Sequence, residues 1–174
     1  MATRDDGTKY GKYIYTYDSD YQHPLGTMLA RIDNNTWNGC QFYMIHWIMP
    51  GKENRFEDKE YAGHPPHIHK DGELLFHLGT DPDNPYDLGG EAIIYLGAEL
   101  EKHIITETCV IWIPPNFIHA PWRPTNTKRP WIFIEVNQGP LHTEKSYRQL
   151  LPKEAREAHD WSTRWLDEGY EMPD

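Results

Sequence analysis

Six short runs of branched and aromatic residues, at 40–49, 73–78, 91–96, 103–106, 109–113 and 131–137, set the limits on what this chain can fold into. Clusters of Gly, Pro, Asn and Asp separate them, except at Thr106-Glu107-Thr108, where a tight reversal joins two runs. Strand-length runs at such spacing predict an all-β sandwich or barrel. The first run, 40–49, is bounded by Asn38-Gly39 and Pro50-Gly51 and reads as a buried strand. Residues 80–90, TDPDNPYDLGG, are too turn-prone for helix or strand and predict an ordered loop. Tyr13, Tyr15 and Tyr17 alternate with Ile14, Thr16 and Asp18, which suits a half-buried strand or an extended tyrosine-rich arm. One helix is expected, over 152–168: Pro152 opens it, Gly169 ends it, and Ala155, Ala158, Trp161, Trp165 and Leu166 form an apolar stripe.

A chain of 174 residues is long enough for one domain of ordinary size. Its organisation reads as an N-terminal arm with first strands at 1–40, a barrel core at 41–138 and a C-terminal helical extension at 139–174. Mean hydropathy is −0.80, yet 38% hydrophobic and 13% aromatic residues supply a core. The net charge of −10 opposes phosphate backbones and anionic lipid surfaces, so neither nucleic acid nor membrane is an expected partner. The longest apolar stretch, 42–50, is broken by His46 and is far below the roughly 20 residues a spanning helix needs. Residues 1–12 carry Arg4, Asp5, Asp6 and Lys9 without an apolar segment, so no secretory signal is visible. Cys40 and Cys109 imply no disulfide framework, read as small buried hydrophobes, and fit a reducing, cytoplasmic location.

Chemistry concentrates in residues 63–79, GHPPHIHKDGELLFHLG. His67 and His69 are two apart, so in a strand both imidazoles project from one face toward one ion. Asp71-Gly72 is expected to turn the chain so that Glu73 faces the same ion from across a hairpin. Downstream, IPPNFIHAP places His119 in another short extended piece, where it would complete a set of three histidines and one glutamate.

These residues resemble the motifs of the cupin superfamily. The first motif appears as His67-x-His69, Glu73 and the later Gly79, the second as Pro114-Pro115-Asn116-Phe117-Ile118-His119. Asn116 stands where glycine is usual and tolerates the left-handed conformation better than other side chains. The resemblance covers about residues 41–138 and implies a cupin-type β-barrel, the double-stranded β-helix or jelly roll, here with the C-terminal α-helix. It implies one divalent transition-metal ion held by His67, His69, Glu73 and His119. That donor set suits Fe(II), which is favoured, or Mn, Co, Ni, Cu or Zn.

Four protein ligands on an octahedral ion leave two adjacent positions for a small-molecule substrate. The expected activity is that of a metal-dependent oxidoreductase, an Fe(II) dioxygenase ahead of a non-redox isomerase or lyase and of a non-catalytic binding protein. A homodimer is expected, because small cupins expose sheet edges and apolar faces that an isolated barrel covers poorly.

Other residues receive roles from their positions alone. His77 lies on the same strand face as Glu73 and is expected to be a catalytic acid–base group, the alternative being a satisfied core histidine. His46 reads as core, His64 as a loop residue and His103 as exposed. His23, His142 and His159 receive no role. Phe76, Trp112, Phe117, Trp122, Trp131 and Phe133 are expected in the core, some of them lining the cavity. The acidic surplus favours neutral or cationic small molecules over anions, with Arg123 able to reverse that locally.

Overall fold

The computed structural model describes residues 7–16, 26–52, 60–158 and 168–170. Among the described residues, ten strands form two five-stranded sheets. The strands are β1 (Gly26–Ile32), β2 (Phe42–Ile48), β3 (His67–Ile68), β4 (Glu73–Leu78), β5 (Asp87–Leu96), β6 (Glu101–Glu107), β7 (Cys109–Ile113), β8 (His119–Thr125), β9 (Trp131–Asn137) and β10 (Lys145–Ser146). One sheet runs β1-β2-β9-β4-β7, the other β10-β3-β8-β5-β6, and every pairing is antiparallel.

Alternation decides what each sheet buries. Along β4 the buried residues are Glu73, Leu75 and His77, and their register partners on β9 are Asn137, Glu135 and Phe133. On β2 the same inward row continues as Phe42, Met44, His46 and Ile48. The core between the sheets contains Ile48, Leu75, Leu88, Ala92, Ile94, Ile113, Trp131 and Phe133, with Trp122 packed against them. Burying side chains of this size contributes about 1.5–3 kcal/mol each.

The six runs all become strands, but four features depart from the sequence reading. The predicted 80–90 loop is shorter, because β5 starts at Asp87 and reaches the regular ladder through a register shift between Asp87 and Ala92. Gly89, at φ 82°, provides the left-handed turn that this irregularity requires. The short extended piece expected at His119 is the start of a seven-residue strand, β8, which runs on through Pro121 and Pro124. Its neighbour β3 pairs with it only at His67↔His119, so the prolines leave no β3 ladder bond unmade. Asp71-Gly72 does not close a hairpin: β3 and β4 belong to different sheets, and this segment crosses between them. At the N-terminus, Gly11–Tyr13 is a 3-10 turn followed by an isolated bridge at Tyr15, rather than a period-two strand over these residues; Tyr17 and Asp18 lie outside the described residues.

Trp112 and Phe117 are 49% and 38% exposed, and so lie outside the core, whereas Trp131 and Phe133 are buried in it. Cys40 and Cys109 are free and partly exposed. The helix α1 begins as expected after Pro152 and is described over Lys153–Ala158; Trp161, Trp165 and Leu166 of its stripe lie outside the described residues. Among the described residues no helix is long and apolar enough to cross a membrane.

Candidate metal centre

His67 and His119 are cross-strand partners on β3 and β8, so one sheet presents both rings side by side, with centroids 4.3 Å apart. His69 follows β3, and its ring centroid lies 4.8 Å from that of His67 and 5.0 Å from that of His119. Glu73 starts β4 in the opposite sheet and reaches the same point, with its Oε1 3.4 Å from His69 Nε2 and its Oε2 3.1 Å from His119 Nε2. All four side chains are buried. One ligand nitrogen from each of the three histidines lies within 4.8 Å of the other two.

The turn before β8 shows how the chain sets this geometry. Asn116 has φ 59°, the left-handed conformation that its side chain tolerates, and its backbone N–H donates to the His69 carbonyl at 2.9 Å. Phe117 N–H donates to the Pro114 carbonyl at 3.1 Å, which closes the turn two residues before His119. Gly72, where the chain crosses between sheets, lies against the end of the Trp112 ring, which would have to shift to admit a Cβ there.

The hydrogen bonds of the three rings fix which nitrogen faces inward. His67 Nδ1 donates to the Pro65 carbonyl at 2.7 Å, His119 Nδ1 to the Phe117 carbonyl at 3.1 Å, and His69 Nδ1 to the Thr143 carbonyl. With each Nδ1 carrying a proton, a neutral ring presents an Nε2 lone pair, and two such nitrogens point at the Glu73 carboxylate. Lone pair against carboxylate is repulsive unless positive charge lies between them, as a proton or as a metal ion. The donor set therefore fits a divalent ion.

The electrostatics agree with that geometry. Burial opposes ionisation of Glu73, yet the charges and hydrogen bonds of His69 and His119 hold its carboxyl far below the usual range. Burial also opposes a charge on His69, but Glu73 and the Thr143 carbonyl carry it up to about 9. His67 is pushed well down, by burial first and then by the neighbouring imidazoles.

His77 is inward-facing, as alternation requires, but its surroundings are aromatic. It is fully buried, its ring stacks on Trp131 at 5.7 Å, and its Nε2 accepts the Trp122 indole N–H at 3.0 Å. Burial lowers its pKa to about 4. His46 is buried against Phe133, as expected for a core residue. His103 is partly exposed and pairs with Glu101 at 3.1 Å.

Two residues near the centre escaped sequence reasoning. Glu144 is fully buried, with Oε2 3.4 Å from His64 Nδ1, and both side chains offer atoms within 4.8 Å of a His67 nitrogen. His142 places its ring 5.1 Å from that of His69 and pairs through Nδ1 with Glu168 at 2.9 Å. These residues approach the centre because β10 pairs with β3 and Thr143 anchors His69 and Lys70. The pair His64-x-x-His67 was visible in the sequence, but no spacing links it to Glu144.

No protein-family model and no curated protein matches this sequence. Solved structures do match in fold. A Bacillus subtilis oxalate decarboxylase, studied for its Mn(II) centres, is 11% identical over 86% of this chain and 38% of its own, with a TM-score of 0.50. The formate complex of Lactobacillus farciminis oxalate decarboxylase is 18% identical over 80% of this chain and 37% of its own, at 0.47. An FeII HppE structure is 15% identical over 64% and 47%, at 0.38. This chain spans little more than a third of the length of the oxalate decarboxylase chains it matches. The two antiparallel five-stranded sheets and the likeness at a TM-score of 0.50 show that this chain shares the fold of that oxalate decarboxylase.

Proposed function

We propose that this chain is a metal-dependent cupin enzyme in which His67, His69, Glu73 and His119 hold one divalent transition-metal ion and a small organic molecule binds beside it. The observation that carries this reading is the orientation of the rings: each Nδ1 is occupied by a backbone carbonyl, and His69 and His119 turn Nε2 toward Glu73. Such an ion supplies Lewis acidity and, where it is iron, the ability to react dioxygen with a bound substrate.

The chain's own residues do the rest. Pro65, Phe117 and Thr143 hold the ring orientations through their carbonyls, which raises ligand basicity and avoids rotamer loss on binding. Burial of all four donors excludes bulk water and strengthens every charge interaction at the centre. For His77, the Trp122 hydrogen bond and the aromatic packing favour a core role over the proton-handling role expected from the sequence.

Within this reading we favour Fe(II) and a dioxygenase, acting as a homodimer, with residues 1–174 forming one domain. The test is metal analysis of protein purified without added metal, followed by oxygen-uptake assays with small phenols, thiols and keto acids. One equivalent of iron with substrate-linked uptake is the expected result. Zinc or manganese without uptake replaces the dioxygenase by a non-redox isomerase or lyase. A chain that takes up no ion refutes the metal centre altogether.

A further inference from the structure

Two fully buried polar side chains beside the centre have no hydrogen-bond partner among the described residues. Asn137 is opposite Glu73 in the β9–β4 register, so its amide lies on the same inward face, and neither Oδ1 nor Nδ2 is hydrogen-bonded among the described residues. Glu144 approaches from the other side, with His64 Nδ1 at 3.4 Å and a His67 nitrogen within 4.8 Å, and neither of its carboxylate oxygens is hydrogen-bonded among the described residues. Buried polar groups in folded proteins are almost always satisfied, and a group left unsatisfied loses about 1–3 kcal/mol. A bound molecule or water would supply their complement.

The atoms in question state what that molecule offers. Asn137 and Glu144 together present three acceptor atoms, Oδ1 and the two carboxylate oxygens, against one donor atom, Nδ2, with its two N–H bonds. A ligand matching them carries several O–H or N–H donors. Charge points the same way. Glu73 and Glu144 bring two acidic side chains to the centre, so an anionic ligand would add to the acidic groups there and a neutral one would not. Glu135, two residues before Asn137, has its carboxyl raised to about 8 by burial and by the charge of Glu73, with Glu144 adding to it. Three carboxyl groups thus border one interior.

We infer that Asn137 and Glu144 select the substrate of the proposed metal centre, and that they select an uncharged small molecule bearing hydroxyl or amino donors over a carboxylate anion. This rests on the metal reading above, and the test separates the two. The full-length protein is loaded with Co(II), whose visible absorption reports the ligands around it, and is titrated with glycolamide and with glycolate. These probes share one skeleton and differ in charge and in the N–H donors.

Glu144→Gln removes one negative charge at nearly constant shape and should move the affinity ratio toward glycolate by about tenfold or more, from one charge acting at short range in a partly buried site. A smaller shift overturns the inference. Should that variant fail to fold, Asn137→Leu decides: it should bind one Co(II) and lose about tenfold in glycolamide affinity, for the loss of one buried amide's hydrogen bonds. Unchanged glycolamide affinity overturns the inference. Failure of the metal reading is a separate result, namely wild-type protein that takes up no Co(II), or that takes it up equally after His69→Ala.

Discussion

Replacing His77 by glutamine should weaken the protein at neutral pH and leave it no weaker than the wild type in acid. In the folded protein burial lowers the His77 pKa from 6.5 to about 4, so the ring is neutral and protonating it opposes folding. The unfolded chain binds that proton more readily, so the stability attached to a neutral His77 is complete above about pH 6.5 and is lost as pH falls toward 4. At about 1.4 kcal/mol per unit, the loss is about 2 kcal/mol by pH 5 and about 3 kcal/mol near pH 4.

Glutamine has no such titration. Its amide oxygen can still accept the Trp122 indole N–H, but it gives up the ring contacts with Trp131 at 5.7 Å and Phe133 at 5.4 Å. Aromatic pairs contribute about 0.5–1.5 kcal/mol each, so at pH 7 the variant should be less stable by about 2 kcal/mol. At pH 5 the two effects offset and the difference should shrink to about zero. Urea unfolding of both proteins at pH 7 and pH 5 measures this, and His67 and His142 titrate in both proteins and cancel in the difference. An equal stability difference at the two pH values refutes the argument. Metal content should stay near one equivalent; its loss would make His77 a ligand.

The metal centre should respond to its own substitutions. His69→Ala should abolish stoichiometric binding of a divalent ion, checked by metal analysis after gel filtration. In the wild type, free metal at 100 times its Kd should add about 2.7 kcal/mol, raising Tm by roughly 5–10 °C, and His69→Ala should lose that gain. Asn116→Val should destabilise by about 1–2 kcal/mol, since a branched side chain is strained at φ 59°, whereas Asn116→Gly should be tolerated within about 1 kcal/mol. Chemical denaturation distinguishes the two. For the homodimer, sedimentation at micromolar concentration should give about twice 20.5 kDa, and a clean monomer would remove it.

The amino-acid order by itself determined the features that depend on near neighbours. Runs of branched residues between turn formers became strands because pairing and burial follow period two, and the inward positions of Glu73, Leu75 and His77 follow from that alternation alone. Asn116 could be placed in a left-handed turn because its conformational tolerance is local. The four proposed ligands could be picked out because two short motifs carry them.

Tertiary structure decided everything that needed distant segments to meet. It put β3 and β4 in different sheets, so Glu73 meets the histidines across the interior and not across a hairpin. It placed β8 beside a two-residue neighbour, where its prolines do no harm. It carried Thr143 and Glu144 to the centre through the pairing of β10 with β3, a contact between segments about 75 residues apart that no spacing announces. It also surrounded His77 with Trp122, Trp131 and Phe133. Strand alternation fixes which face a side chain takes, but what it meets there depends on register and sheet stacking, which are set by the packing of the whole core.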